Sequence, residues 1–355
     1  MKTKQKPTDG FSIVRIFIVA LFLLPWLTLI AQDFNKTYFN EKYEVDKGAN
    51  LIIRNKFGDI HCQAWDESNV TVTVTVKVEA SSQEKADRVF DKIEVELSGN
   101  RTKVEGITTV GSISNADFSI DYEIRMPRWI NIDLNNQFGD IYLDEADGST
   151  RIKLEYGSME ASALNGPAEL DIKFSDVEAG IMKDGALNIE YSEWKSEDIE
   201  NLKLYSRFSE ISIEKAAKLN LDSQYDDVSF ASAGQVISTS RFSDLVFEKI
   251  SGDFDFDIEY GELEANNIAA SFKVGKVRNT FAEVSLTFDP KASMNINAEL
   301  EFGELSYPKA NSSMNEVTEG YTTHIYKGRI GASTSPASQL NIISKNAEVD
   351  IDFEE

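Results

Sequence analysis

One short pattern recurs along this chain and limits what it can fold into: an aromatic residue, a small residue, an acid, then an apolar residue. It reads FGDI at Phe57 and again at Phe138, inside the near-identical phrases NKFGDI (55–60) and NQFGDI (136–141). YGSM follows at Tyr156, FSDV at Phe174, YSEW at Tyr191, FSEI at Phe208 and YDDV at Tyr225. FSDL at Phe242, YGEL at Tyr260, FAEV at Phe281 and FGEL at Phe302 continue it, and NAEV at Asn346 keeps the pattern without the ring. From Phe138 to Tyr260 successive aromatics lie 17 or 18 residues apart; the spacing then widens to 21, 21 and 44.

Before each aromatic, apolar or small residues recur at every second position, as in Leu202, Leu204, Ser206, Phe208 and in Leu219, Leu221, Ser223, Tyr225. After it the alternation resumes with shifted phase: Ile211 and Ile213, then Val228 and Phe230. Period two marks a strand with one buried face. Each unit therefore reads as strand, bend, strand and a short loop. Seventeen residues is too short for a helical repeat or a propeller blade. It suits one coil of a solenoid whose equivalent strands stack in parallel about 4.8 Å apart. The predicted fold is all-β: a parallel β-solenoid, or β-helix, with 17–18-residue coils.

On this reading the aromatic points inward and its repeats form a buried column. Phe138→Ser is then a core truncation costing about 3 kcal/mol or more. The small second residue fits a tight corner without requiring positive φ, because Ser175 and Ala282 occupy it. The third position faces outward and sets Asp140, Asp176, Glu193, Glu210, Asp227, Asp244, Glu262, Glu283 and Glu304 in one like-charged row. Neighbours ~4.8 Å apart repel by about 0.9 kcal/mol a pair at the dielectric constant of water. The row reads first as a solvated acidic corner, partly neutralised by Arg207 and Arg241. The alternative is weak Ca²⁺ association, although a single row falls short of the roughly six to eight oxygens of a calcium cage.

The chain opens as an exported protein does. Lys2, Lys4, Lys6 and Arg15 make a basic leader, and 16–31 is almost wholly apolar, ending in Leu29, Ile30 and Ala31. That run is short for a membrane span and right for a secretory signal, so 1–31 is assigned as a signal peptide; an uncleaved anchor is the rival. Removing it takes four basic residues and one acid from 36 and 60, leaving 32 against 59, a formal charge of −27. Such a surface disfavours nucleic acid and anionic lipid. The expected location is the periplasm, the cell surface or the extracellular space.

Residues 32–50 read as a lead-in, and 51–130 as a first coil plus a β-rich cap with one short helix. Val70 to Val78 alternate as a strand. Ser81, Ser82, Gln83 and Glu84 resemble a capping box ahead of Ala86, Val89, Phe90 and Ile93 on one helical face. Residues 131–355 hold the solenoid repeats, with a polar insertion at about 308–336 carrying Tyr321 and His324. That insertion is either a partner-binding loop or a plain hairpin.

Little chemistry is written here. His61 and His324 are the two histidines and lie far apart. Cys62 takes the position of Leu143, Ala161 and Ile213 in other coils, so it reads as a small core residue. No nucleophile elbow, phosphate loop or dinucleotide turn is present. No catalytic, cofactor-binding or metal-binding residue is assigned, and the chain is read as not an enzyme.

The pattern Leu51, Ile53, Asn55, Phe57, Gly58, Asp59, Ile60 resembles the bacterial putative-adhesin domain family of unknown function. Arg125, Met126 and Pro127 followed by Ile132, Leu134, Asn136 and Phe138 fit it too, as do Gly331 and Ala332 leading to Leu340, Ile342, Val349 and Ile351. The resemblance spans about 45–353. It implies a right-handed β-helical exported domain common in Bacteroidetes-like envelopes, and it assigns no catalytic residues. The expected function is a non-enzymatic envelope adhesin or scaffold presenting a solenoid face to a protein or glycan partner. The alternative is a periplasmic accessory of envelope-stress (anti-sigma) signalling. A polysaccharide-active β-helix enzyme is disfavoured, because the repeat accounts for the acids and no basic cluster accompanies them.

Overall fold

The computed structural model describes residues 32–319 and 321–354; the leader expected at 1–31 lies outside them. The chain is nearly all β. Its strands join one long sheet of mostly parallel pairs, with a helix at Gln83–Phe90. Among the described residues no helix is long and apolar enough to cross a membrane.

The repeat in the sequence is a register in space. Strands Asp176–Glu190, Glu193–Arg207, Glu210–Gln224 and Asp227–Phe247 pair in parallel, each with the next. Asp176 aligns with Glu193, Glu210 and Asp227, and Leu187 with Leu204 and Leu221. Inward residues such as Ile189, Leu204, Trp194 and Phe230 are buried, and Phe230 stacks on Phe247 at 5.2 Å. One coil cannot cover its own apolar face, so neighbouring coils supply the core.

The units differ from strand, bend, strand and loop in one respect. Between aromatic corners the chain stays in the ladder: Ser158–Lys173 and Asp176–Glu190 pair along their lengths, with a register shift between Leu164 and Pro167. A bulge there turns the strand while keeping most backbone hydrogen bonds.

The two FGDI phrases are adjacent. Strand Asn50–Lys56 pairs with Asn131–Gln137, aligning Asn55 with Asn136, and Ile60 and Cys62 align with Ile141 and Leu143. Everything between is an excursion from which the chain returns to start the next coil. Lys103–Val110 lies along Asn50–Arg54, and Asp117–Pro127 along Ile60–Trp65. Gln32–Glu44 and Asn69–Ala80 form an antiparallel pair beside them. The edge of the stack is thus occupied by paired strands. The helix buries Ala86, Val89 and Phe90, but the capping box does not form. Ser82 is the N-cap and its side chain caps nothing, while Ser81 Oγ accepts from Lys85 Nζ at 2.7 Å.

At the other end the chain order and the stacking order diverge. Val274–Phe288 does not pair with Met294–Glu301. Ser338–Lys345 and Val349–Phe353 slot between them, pairing with Val274–Phe288 on one side and with Met294–Glu301 and Leu305–Ser306 on the other. The 308–336 segment holds the strands Ser312–Glu319 and Thr323–Ile330, which pair antiparallel and extend from Met294–Glu301.

Candidate functional site: an exposed aromatic ladder

The aromatic of each repeat is the corner residue, and its backbone is left-handed. Phe57, Phe138, Tyr156, Phe174, Tyr191, Phe208, Tyr225, Phe242, Tyr260, Phe281 and Phe302, with Asn346, all have φ between 52° and 64°. A residue with a Cβ pays about 1–2 kcal/mol for that conformation. It also inverts the alternation, so the side chain expected inside emerges outside. From Phe138 to Phe281 the rings are 38–49% exposed. The buried column expected from the sequence is therefore corrected: Ser206 is inside, Phe208 outside and Ser209 inside again.

Outside, the rings form a continuous ladder. Nine consecutive pairs, from Phe57–Phe138 to Tyr260–Phe281, stack with centroids 4.8–5.2 Å apart and planes within 2–12°. Each contact contributes about 0.5–1.5 kcal/mol, comparable with the backbone cost of the corner. Phe118 closes one end edge-on against Phe57 at 5.3 Å. At the other end Lys345 lies between Thr280 and Glu301 in register, so Asn346 falls between Phe281 and Phe302. Asparagine tolerates left-handed backbone without contributing a ring.

The second position does more than fit a corner. The Ser175 N–H donates to Ser192 Oγ at 3.1 Å, Ser192 N–H to Ser209 Oγ at 3.3 Å, and Ser209 N–H to Asp226 Oδ1 at 2.8 Å. Asp226 N–H donates to Ser243 Oγ at 3.1 Å. In turn the hydroxyls of Ser175, Ser192 and Ser209 donate to the carbonyls of Lys173, Glu190 and Arg207, each at 2.8 Å. This inner ladder satisfies amides that the left-handed corner withdraws from the sheet. At the two FGDI corners the residue is glycine for a steric reason: a Cβ on Gly139 would lie 2.1 Å from the Gly58 carbonyl oxygen. There Asn55 and Asn136 Nδ2 donate to that carbonyl at 3.1 and 2.9 Å. The sequence carried a signal for the inner ladder, serine recurring at 175, 192, 209 and 243, which a reading based on size alone passes over.

The acids of the third position do stand in register on the outside: Asp176, Glu193, Glu210 and Asp227 in one run, Asp244, Glu262 and Glu283 in the next. Burial and the neighbouring Glu264, Glu283 and Asp244 push the Glu262 carboxyl up. Arg207 and Arg241 lie on the other flank of the rings, where Arg241 Nε pairs with Glu259 at 3.1 Å rather than with the row. Among the described residues no group of three or more His, Cys, Asp or Glu could hold a metal ion.

The remaining sequence candidates are not brought together. Cys62 is buried, aligned with Leu143, and burial followed by the Glu123 charge pushes its thiol up to about 12. A neutral buried thiol is a packing residue. His61 stacks on Tyr142 at 4.4 Å, on a coil beside the cap, whereas His324 belongs to the hairpin of the opposite end. An open furrow of about 1210 Å³ runs along the outer face past His61, Tyr142, Glu178, Lys195 and Glu214.

No family model and no curated protein sequence matches the chain. Solved structures similar to it include a "putative cell adhesion protein" from Clostridium sporogenes, at 11% identity, covering 91% of this chain and 100% of that one, TM-score 0.20. A "putative adhesin" from Bacteroides fragilis has 9% identity, covering 91% and 97%, TM-score 0.27. A "putative adhesin" from Parabacteroides distasonis has 11% identity, covering 90% and 97%, TM-score 0.33.

Proposed function

We propose that this chain is an exported, non-enzymatic envelope protein that acts as an adhesin-like interaction scaffold. Its working form is a right-handed parallel β-solenoid with 17–18-residue coils over 131–355. A first coil and cap over 51–130 close one end. The leader at 1–31 directs it to the periplasm or cell surface. One observation carries the reading: of ten stacked rings, the nine from Phe138 to Phe281 lie open to solvent along the rod. Exposed apolar surface of that extent on a monomer marks a contact surface. A hydrolase reading finds less support, since the carboxylates are repeat positions rather than a convergent pair. Any Ca²⁺ held by the acid row is weak, for want of a cage.

The test is binding of labelled full-length protein to envelopes of the producing cells, alongside a polysaccharide panel. Saturable binding without turnover supports the scaffold. Turnover of any polysaccharide, or no saturable binding, overturns it.

A further inference from the structure

The ladder has two flanks of different electrical character. On one side stand Asp176, Glu193, Glu210, Asp227, Asp244 and Glu262, all acidic. Among the described residues the ion pair that reaches this row is Lys195 to Glu193. On the other side, the residues preceding the rings are of mixed sign and close on themselves. Lys173 pairs with Glu190 and Arg241 with Glu259, both at 3.1 Å, and Gln137 donates to Glu155 at 3.0 Å. Apolar ring edges thus run beside a carboxylate strip whose charge the fold leaves largely unanswered.

We propose that this track docks a cationic amphipathic helical segment of a partner protein. Its apolar side chains lie on the ring edges and its Lys or Arg groups meet the acid row. The proposal rests on the scaffold reading and names its contact face and partner class.

Three observations select this occupant. Parallel stacking turns the ring faces toward each other, so edges are what the solvent meets, and a sugar stacking on aromatics needs a free face. A second copy of the chain brings the same sign of charge, −24 overall. The chain also shows a cation accommodated on the ladder: Lys56 Nζ lies 5.1 Å from the Phe57 ring centroid and 5.6 Å from that of Phe138. Spacing favours a helix. A helical turn advances about 5.4 Å against rungs of 4.8–5.2 Å. Side chains three or four apart therefore meet successive rungs for several turns before drifting out of register. An extended strand repeats its side chains every ~6.6 Å on one face and misses the rungs from the start.

The experiment titrates a Leu/Lys peptide patterned for one apolar and one basic helical face into the full-length protein. Controls are a Leu/Glu peptide of the same pattern and a Lys/Ser peptide with no apolar face. Three variants are compared: Tyr191→Ser with Phe208→Ser and Tyr225→Ser in the ladder; Glu210→Gln with Asp227→Asn and Asp244→Asn in the row; and Glu197→Gln with Glu200→Gln and Glu214→Gln off the track. The acid-row variant keeps every ring, so it reports even if the ladder variant folds poorly. The Leu/Lys peptide is expected to bind the unmodified protein at least about tenfold more tightly than either track variant. The off-track variant should bind like the unmodified protein, and neither control peptide should compete. Equal weakening by the off-track variant, equal binding of the Lys/Ser peptide, or no binding overturns the proposal. So does ladder-dependent dimerisation in sedimentation, which would seat a second copy there. The same variants in the envelope assay separate the two ideas. Envelope binding untouched by the track variants rejects the track and leaves the scaffold standing; absence of binding by the unmodified protein rejects the scaffold itself.

Discussion

Phe57 and Phe138 are 81 residues apart in the chain and one rung apart in space. Their rings stack at 5.2 Å with planes 9° apart. Between them the chain leaves the coil, builds two antiparallel pairs and a helix, and comes back. The repeated phrase NKFGDI and NQFGDI is therefore a contact with itself: Asn55 and Asn136 Nδ2 both reach the Gly58 carbonyl, and Gly139 presses on that same group.

Ring substitutions should separate an outer ladder from an inner core. Phe138→Ser removes two stacks, each worth about 0.5–1.5 kcal/mol, from a ring that is 41% exposed. A loss of about 1–3 kcal/mol is expected in urea unfolding. Phe230→Ala, a truncation of a fully buried ring, should cost about 3–5 kcal/mol. Because φ at Phe138 is 60°, Phe138→Asn should be better tolerated than Phe138→Val by about 1 kcal/mol. Equal costs for Phe138→Ser and Phe230→Ala would place the outer ring inside.

The inner ladder makes a second contrast. Ser209 Oγ accepts from the Ser192 amide and donates to the Arg207 carbonyl. Ser209→Ala leaves the buried Ser192 amide without its acceptor, while the Arg207 carbonyl keeps the Tyr191 N–H, and should cost about 1–3 kcal/mol. Ser212→Ala, whose hydroxyl meets Ser229 at the surface, should stay within about 0.5 kcal/mol of the parent. Thermal melts of the two variants decide the matter. Indistinguishable melting temperatures would reduce the recurring serines to small corner residues.

How much of this was legible depends on what each residue type reveals. Spacing revealed the coil, because Leu187, Leu204 and Leu221 recur at the period of the register they form. The acids reveal their own side, since a charge row such as Glu193, Glu210 and Asp227 cannot be buried unpaired. The rings do not. Alternation assigns faces only while every residue keeps strand dihedrals, and one left-handed corner at Phe208 reverses the assignment without changing the composition. Stacking order was hidden for another reason. The placement of Ser338–Lys345 ahead of Met294–Glu301 in the stack is a choice among partners with the same alternating pattern. The interval of 44 residues before Asn346 marked an irregularity there but not its resolution.

Thiol labelling tests the reading of Cys62 as a buried packing residue. Its thiol is buried and held up at about 12, so the nucleophilic thiolate is scarce at neutral pH. A disulfide reagent should leave the folded protein unlabelled near pH 8 and label it fully in urea. Rapid labelling of the folded chain would mean that reagent enters past the furrow wall, which Cys62 shares with His61 and Tyr142.

Asp226 replaces serine in the inner ladder and should make part of the stability depend on pH. Its carboxylate is buried and accepts from Ser206 Oγ at 2.6 Å, Ser223 Oγ at 2.7 Å, Ser209 N–H at 2.8 Å and Gln224 N–H at 2.9 Å. Burial pushes its pKa above the ordinary value of 3.8, against the pull of those four bonds. A carboxyl raised in this way holds its proton more tightly folded than unfolded. The stability it supplies is complete below the unfolded value and is lost as pH rises through the folded value. Asp226→Ser restores the residue of the neighbouring coils and removes the titration. The stability difference between parent and variant should therefore move in the variant's favour as pH climbs above 3.8, then level off, when followed by urea unfolding across a pH series. Movement in the opposite direction would mean that the four hydrogen bonds outweigh desolvation and that Asp226 sits in the ladder as a stabilised anion.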